Sequence, residues 1–119
     1  MAKHRVYHYP SCSTCKKALK WLSSHDIPFE PIHIVDHPPS KAELRQVLKN
    51  AGVPLRKLFN TSGVSYREGG FSERLATMSE AEAIDALASD GKLIKRPLLL
   101  GNGVTLVGFD ESAYSRAIE

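Results

Sequence analysis

The chain is most constrained by one junction near its start. The apolar run Arg5 to Tyr9 has the composition of a strand, and Pro10-Ser11 breaks it. A helical pattern begins at once, with Cys15, Ala18, Leu19 and Leu22 at i, i+3, i+4 and i+7. Both cysteines of the chain, Cys12 and Cys15, fall on this strand–turn–helix boundary as C-x-x-C. Cys12 is therefore expected at the first turn of the helix and Cys15 within that turn.

That position has a chemical consequence. A free thiol has a pKa near ~8.5, so only a few per cent is thiolate at neutral pH. The first helical turn offers unpaired N–H groups and the positive end of the macrodipole. Such settings lower a cysteine pKa to roughly 3.5–7.5. Lys16, Lys17 and His8 add positive or donor character nearby. Cys12 is thus the expected nucleophile toward a disulfide, a sulfenic acid or an oxyanion, and Cys15 the thiol that resolves the adduct. With a strand before it and a helix after it, C-x-x-C is the redox signature of thioredoxin-like proteins.

Two other readings compete with this one. Cysteines can be small core residues, but Ser11-Cys12-Ser13-Thr14-Cys15 is polar and lies at a turn. They can be half of a zinc site, with His33 and His37 as the other half. The seventeen residues between Cys15 and His33 exceed the finger spacing, and His33 sits among strand formers instead of on a helix. No metal is expected.

The remaining composition is ordinary. A length of 119 residues suits one domain with a core of its own, expected to span residues 1–119. Hydrophobic content is 42% and net charge +3, and the basic residues are dispersed, so direct nucleic-acid binding is not indicated. Met1 to Tyr7 lacks the apolar core of a signal peptide, and no apolar run approaches the ~18 residues of a membrane span. A cytoplasmic monomer is the expectation.

The rest of the chain reads as follows. The first helix runs from about Thr14 to Ser24 and a second strand from about Phe29 to Val35, where Ile32 and Ile34 alternate with His33. Strand, helix and strand on short links make a right-handed βαβ unit with parallel strands. Ser40 and Glu43 open a helix as a capping box, with Leu44, Val47, Leu48 and Ala51 inward and Gly52 as its left-handed stop. Pro54 opens a short helix. Asn60-Thr61-Ser62-Gly63 is a turn, and Tyr66 to Gly70 reads as irregular chain. A short helix covers Ser72–Ala76, and Ser79 with Glu82 caps another that ends at Asp90-Gly91. Leu98–Leu100 and Val104–Val107 flank Gly101-Asn102-Gly103, a strong hairpin signal. A final helix spans Glu111–Ile118, with Ala113, Tyr114, Ala117 and Ile118 inward. The predicted fold is α/β and thioredoxin-like: a mixed four-stranded sheet with helices on both faces. A helical insertion, about 40–91, separates its βαβ half from its hairpin half.

Three stretches carry a family likeness: Tyr7 to Lys17 around the cysteines, Phe59-Asn60-Thr61-Ser62-Gly63, and Lys95-Arg96-Pro97-Leu98. They resemble the ArsC-like family, which holds glutaredoxin-coupled arsenate reductases and the Spx/MgsR redox regulators of bacterial RNA polymerase. The resemblance implies that Cys12 is the nucleophile and that His8 helps to keep it ionised. It implies that Arg96 binds an oxyanion or thiolate, and that Pro97 is cis and faces the cysteine. Ser11, Ser13, Thr14 and Asn60 would add donors around a bound thiol or oxyanion substrate. No cofactor is implied beyond glutathione, glutaredoxin or thioredoxin as electron donor. The reductases hold their oxyanion with three arginines, whereas this chain keeps Arg96 and has Asn60 and Gly108 at the other positions. The regulators share C-x-x-C and the Arg-Pro pair. Their central helices contact the C-terminal domain of the polymerase α subunit, where Gly52 aligns with a contact glycine. The resemblance therefore implies a thiol–disulfide redox protein, with a redox-sensing regulator as the alternative.

Overall fold

Three features of the sequence decide where this chain turns, and each appears in the computed structural model, which describes residues 3–118. Pro10 and Ser11 end strand β1 (His4–His8) and lead into helix α1 (Ser13–Ser24). Gly52, at φ +64°, stops helix α2 (Lys41–Ala51) in the left-handed conformation that a side chain with a Cβ disfavours. Asn102 and Gly103, at φ 51° and 76°, turn strand β3 (Leu98–Gly101) into strand β4 (Val104–Val107), as a two-residue hairpin loop requires.

The chain divides into two compact units, 1–33 with 96–119, and 34–95. The first holds the sheet. Strand β2 (Phe29–His33) runs parallel to β1, and β3 runs antiparallel to β1 on its other side. The order is β2-β1-β3-β4, a mixed four-stranded sheet as predicted. Its register pairs Val6 with Leu99 on one face and Tyr7 with Leu98 on the other. Val6 and Leu99 pack with Ala18, Trp21 and Leu22 of α1 and with Tyr114 of α6 (Glu111–Ile118), so these two helices share one face. Leu98, Leu99 and Leu100 are all buried, as suits a central strand. The Tyr114 hydroxyl donates to the Gly108 carbonyl at 2.9 Å, which satisfies the one polar atom that this ring takes into the core.

The second unit is helical. It comprises α2, a 3₁₀ turn at Leu55–Leu58, α3 (Val64–Glu68), α4 (Phe71–Arg74), α5 (Glu80–Ser89) and a second 3₁₀ turn at Gly91–Leu93. Leu44 and Val47 of α2 are buried and Leu48 and Ala51 half-buried, the stripe read from the sequence, and Ala83, Ile84 and Leu87 of α5 are buried at helical spacing. Phe59, Tyr66 and Phe71 form a ring cluster with centroids 5.6–6.2 Å apart.

Three local expectations need correction. Tyr66 to Glu68 is helical, not irregular: the buried Tyr66 ring anchors a five-residue helix too short to show a period. Strand β2 ends at His33 and not at Val35, because the partner strand β1 itself ends at His8. Ala117 is exposed, and Tyr114 is the buried residue of α6.

Candidate active site

Cys12 is the N-cap of α1. Its backbone is extended (φ −86°, ψ 114°), and its Sγ accepts the Cys15 backbone N–H at 3.3 Å. This is the bond a serine or aspartate makes when it caps a helix. The Cys12 N–H donates to the Tyr9 carbonyl at 3.0 Å, closing the turn through Pro10 and Ser11. No acidic residue lies in the first turn of α1, so nothing there opposes an anion. Ser11 and Ser13 are exposed and Thr14 is half-buried, on either side of the thiol in the chain.

The two thiols are free and unequal. Cys12 is half-buried and Cys15 is only 1% exposed. Burial pushes the Cys12 thiol up, but hydrogen bonds from the side chain and backbone of Cys15 and the Arg96 guanidinium outweigh it, and its pKa falls below the ordinary value. Cys15 is pushed up to about 12, first by burial and then by donating its S–H to Cys12 and facing that thiolate's charge. A backbone hydrogen bond from Tyr9 and the charge of Arg96 oppose that rise without reversing it.

Arg96 lies just before β3, which pairs with the strand that leads into the Cys12 turn. In the β1–β3 ladder Arg5 pairs with Leu100, Val6 with Leu99 and Tyr7 with Leu98. Arg96 and Pro97 immediately precede β3, beside the end of β1. The Arg96 guanidinium lies over the Tyr9 ring at 4.8 Å from its centroid. The Arg96–Pro97 peptide is cis, as the resemblance implies, and Pro97 is buried.

His8 has a histidine neighbour in the sheet. It pairs in register with His33 of β2, and the two rings lie 6.4 Å apart, edge to face. Burial, then the charge of His33, lowers its pKa, so His8 presents a neutral imidazole at neutral pH. The cation beside Cys12 is Arg96. Asn60 belongs to the 34–95 unit, where its N–H donates to the Leu93 carbonyl at 2.7 Å and its own carbonyl accepts from Gly63 at 3.0 Å. His33 touches the Tyr9 and His8 rings, and no group of three or more His, Cys, Asp or Glu side chains among the described residues is placed to hold a metal ion.

Sequence reasoning passed over Tyr9 and read His33 only as a strand residue or a zinc candidate. Their part in the site follows from sheet register, which leaves no local signal.

Comparison with known proteins places the chain among relatives. The chain is 49% identical over 108 residues to the uncharacterized protein YusI of Bacillus subtilis (strain 168), covering 91% of this chain and 92% of that one. It is 27% identical to the global transcriptional regulator Spx of Lactiplantibacillus plantarum, covering 93% of this chain and 83% of the other. A crystal structure of an ArsC family related protein from Bacteroides fragilis superposes with a TM-score of 0.93 at 43% identity, covering 97% of both chains. The sequence model of the ArsC family matches residues 7–117, and the chain belongs to that family.

Proposed function

We propose that the protein is a dithiol redox protein in which Cys12 attacks and Cys15 resolves. The inequality of the two thiols carries this reading: one is partly accessible and held below its ordinary pKa, the other is covered and held at about 12. The Cys12 thiolate attacks one sulfur of a substrate disulfide. A mixed disulfide forms and the first substrate thiolate leaves. Cys12 then carries no charge, so two of the causes that raise Cys15, the bond to the Cys12 thiolate and its charge, disappear. Cys15 gives up its proton, which passes to the departing thiolate, and attacks Cys12 Sγ. The products are a Cys12–Cys15 disulfide, one substrate thiol and one substrate thiolate that takes its proton from solvent, two electrons having moved from protein to substrate. Glutathione, glutaredoxin or thioredoxin would return the protein to the dithiol.

The test is alkylation and weighing across a glutathione redox series. One intramolecular disulfide with a midpoint between roughly −180 and −280 mV is expected for a pair poised in a cytosol. Two thiols that stay alkylatable at every poise would falsify the reading. Arsenate is the less favoured substrate, because an oxyanion of that charge wants several charge-assisted donors and this chain supplies one of the three arginines.

A second reading rests on the likeness to Spx, a global transcriptional regulator. The same dithiol would then be a switch controlling contact with the α subunit of RNA polymerase. A pull-down with the α C-terminal domain, reduced against oxidised, tests it; binding by neither form removes it.

A further inference from the structure

The region around Cys12 contains a residue with no role in the scheme above. Tyr9 is tied to the site at three points. Its carbonyl accepts the Cys12 N–H at 3.0 Å. Its ring lies under the Arg96 guanidinium at 4.8 Å, and the His33 ring meets it at 5.5 Å with the planes 74° apart. Arg96 is a long, rotamer-rich side chain, and its value to a thiolate depends on where the guanidinium is held. The ring face of Tyr9 attracts that cation, and His33 from the neighbouring strand abuts the ring.

We infer that Tyr9 is a positioning residue: its ring, abutted by His33, holds the Arg96 guanidinium against Cys12. The inference rests on the reading of Cys12 as the nucleophile. Tyr9 acts through Arg96 and through the shape of its ring, and its hydroxyl has no part in the argument.

The test is the rate of iodoacetamide alkylation as a function of pH, with the modified cysteine identified by mass. Tyr9→Leu removes the ring and keeps bulk, and should slow Cys12 alkylation below neutral pH by about two- to fivefold, the range expected for one cation–π contact. Its pH profile should move toward that of an ordinary thiol. Tyr9→Phe keeps the ring face and should behave as the wild type. In an Arg96→Ala background Tyr9→Leu should change nothing further, because the interaction it removes is already gone. An equal effect of Tyr9→Leu with and without Arg96 overturns the inference, and so does a wild-type profile in Tyr9→Leu. If Tyr9→Leu fails to fold, the Arg96 side-chain protons of the wild type and of Tyr9→Phe decide the matter by NMR. Upfield ring-current shifts support the stacked arrangement, and their absence overturns it. Alkylation of Cys15 before Cys12 in the wild type is a separate result, which removes the assignment of the nucleophile.

Discussion

Two helix N-termini in this protein are built alike and put to different uses. At α5, Ser79 is extended (φ −73°, ψ 163°), its Oγ accepts the Glu82 N–H at 3.1 Å, and Glu82 Oε1 accepts the Ser79 N–H at 2.9 Å. At α1, Cys12 is extended in the same way and its Sγ accepts the Cys15 N–H at 3.3 Å. The difference lies in the return bond. The Cys12 N–H is taken by the Tyr9 carbonyl, and the third helical position holds a thiol where α5 holds a carboxylate. Helix α5 fills its positive end with Glu80 and Glu82. Helix α1 has no acid in its first turn and leaves that field to the sulfur. One capping arrangement thus secures a helix in the first case and, on the function proposed above, poises a nucleophile in the second.

Exchange of the cap atom gives the largest expected effect. Cys12→Ser turns the α1 cap into the kind found at Ser79. Fast alkylation and disulfide formation should vanish, while urea unfolding of the reduced protein shifts by less than about 1 kcal/mol, since serine is a good N-cap. Full thiol-dependent activity in Cys12→Ser would end the assignment. Next comes Cys15→Ser, which removes the resolving thiol; mixed adducts on Cys12 should accumulate stoichiometrically by mass spectrometry. A carboxylate placed in the first turn, as in α5, should partly cancel the advantage of Cys12. Ser13→Glu is expected to slow Cys12 alkylation below neutral pH by about two- to fivefold. An unchanged rate would mean that the helix end contributes little to thiolate stability. The reverse experiment, Ser79→Ala, should cost about 1 kcal/mol in urea unfolding and leave thiol kinetics alone.

The smallest effect is a pH dependence. Cys12 ionises below the ordinary thiol value in the fold. Its contribution to stability is therefore complete above the unfolded pKa near ~8.5, and is lost as pH falls through the lowered folded value. The stability difference between reduced wild type and Cys12→Ser should move in favour of the wild type as pH rises toward ~8.5. Denaturation at a series of pH values with reductant present measures it, and a trend of opposite sign contradicts the lowered pKa.

What the sequence determined by itself was local. The C-x-x-C at a strand–helix junction, the serine caps of α2 and α5, the left-handed stop at Gly52 and the Asn102-Gly103 hairpin all rest on contacts within a few residues. Such contacts leave a period or a turn signature in the chain. The likeness to a known family supplied Arg96 and Pro97, which composition and spacing did not. Helix α3 escaped detection because five residues held by one buried ring are too few to show periodicity. Tertiary structure alone decided the neighbours of Cys12. The pairing of Tyr7 with Leu98 brings the chain before β3 beside the end of β1, where the Arg96 guanidinium lies over the Tyr9 ring, and the pairing of His8 with His33 brings a second histidine against the first. Strand register is fixed by which faces are buried across the whole sheet, and a shift of one residue would turn every side chain to the other face. No single segment carries that information, so the Tyr9 ring beneath Arg96 became visible only once the strands were paired.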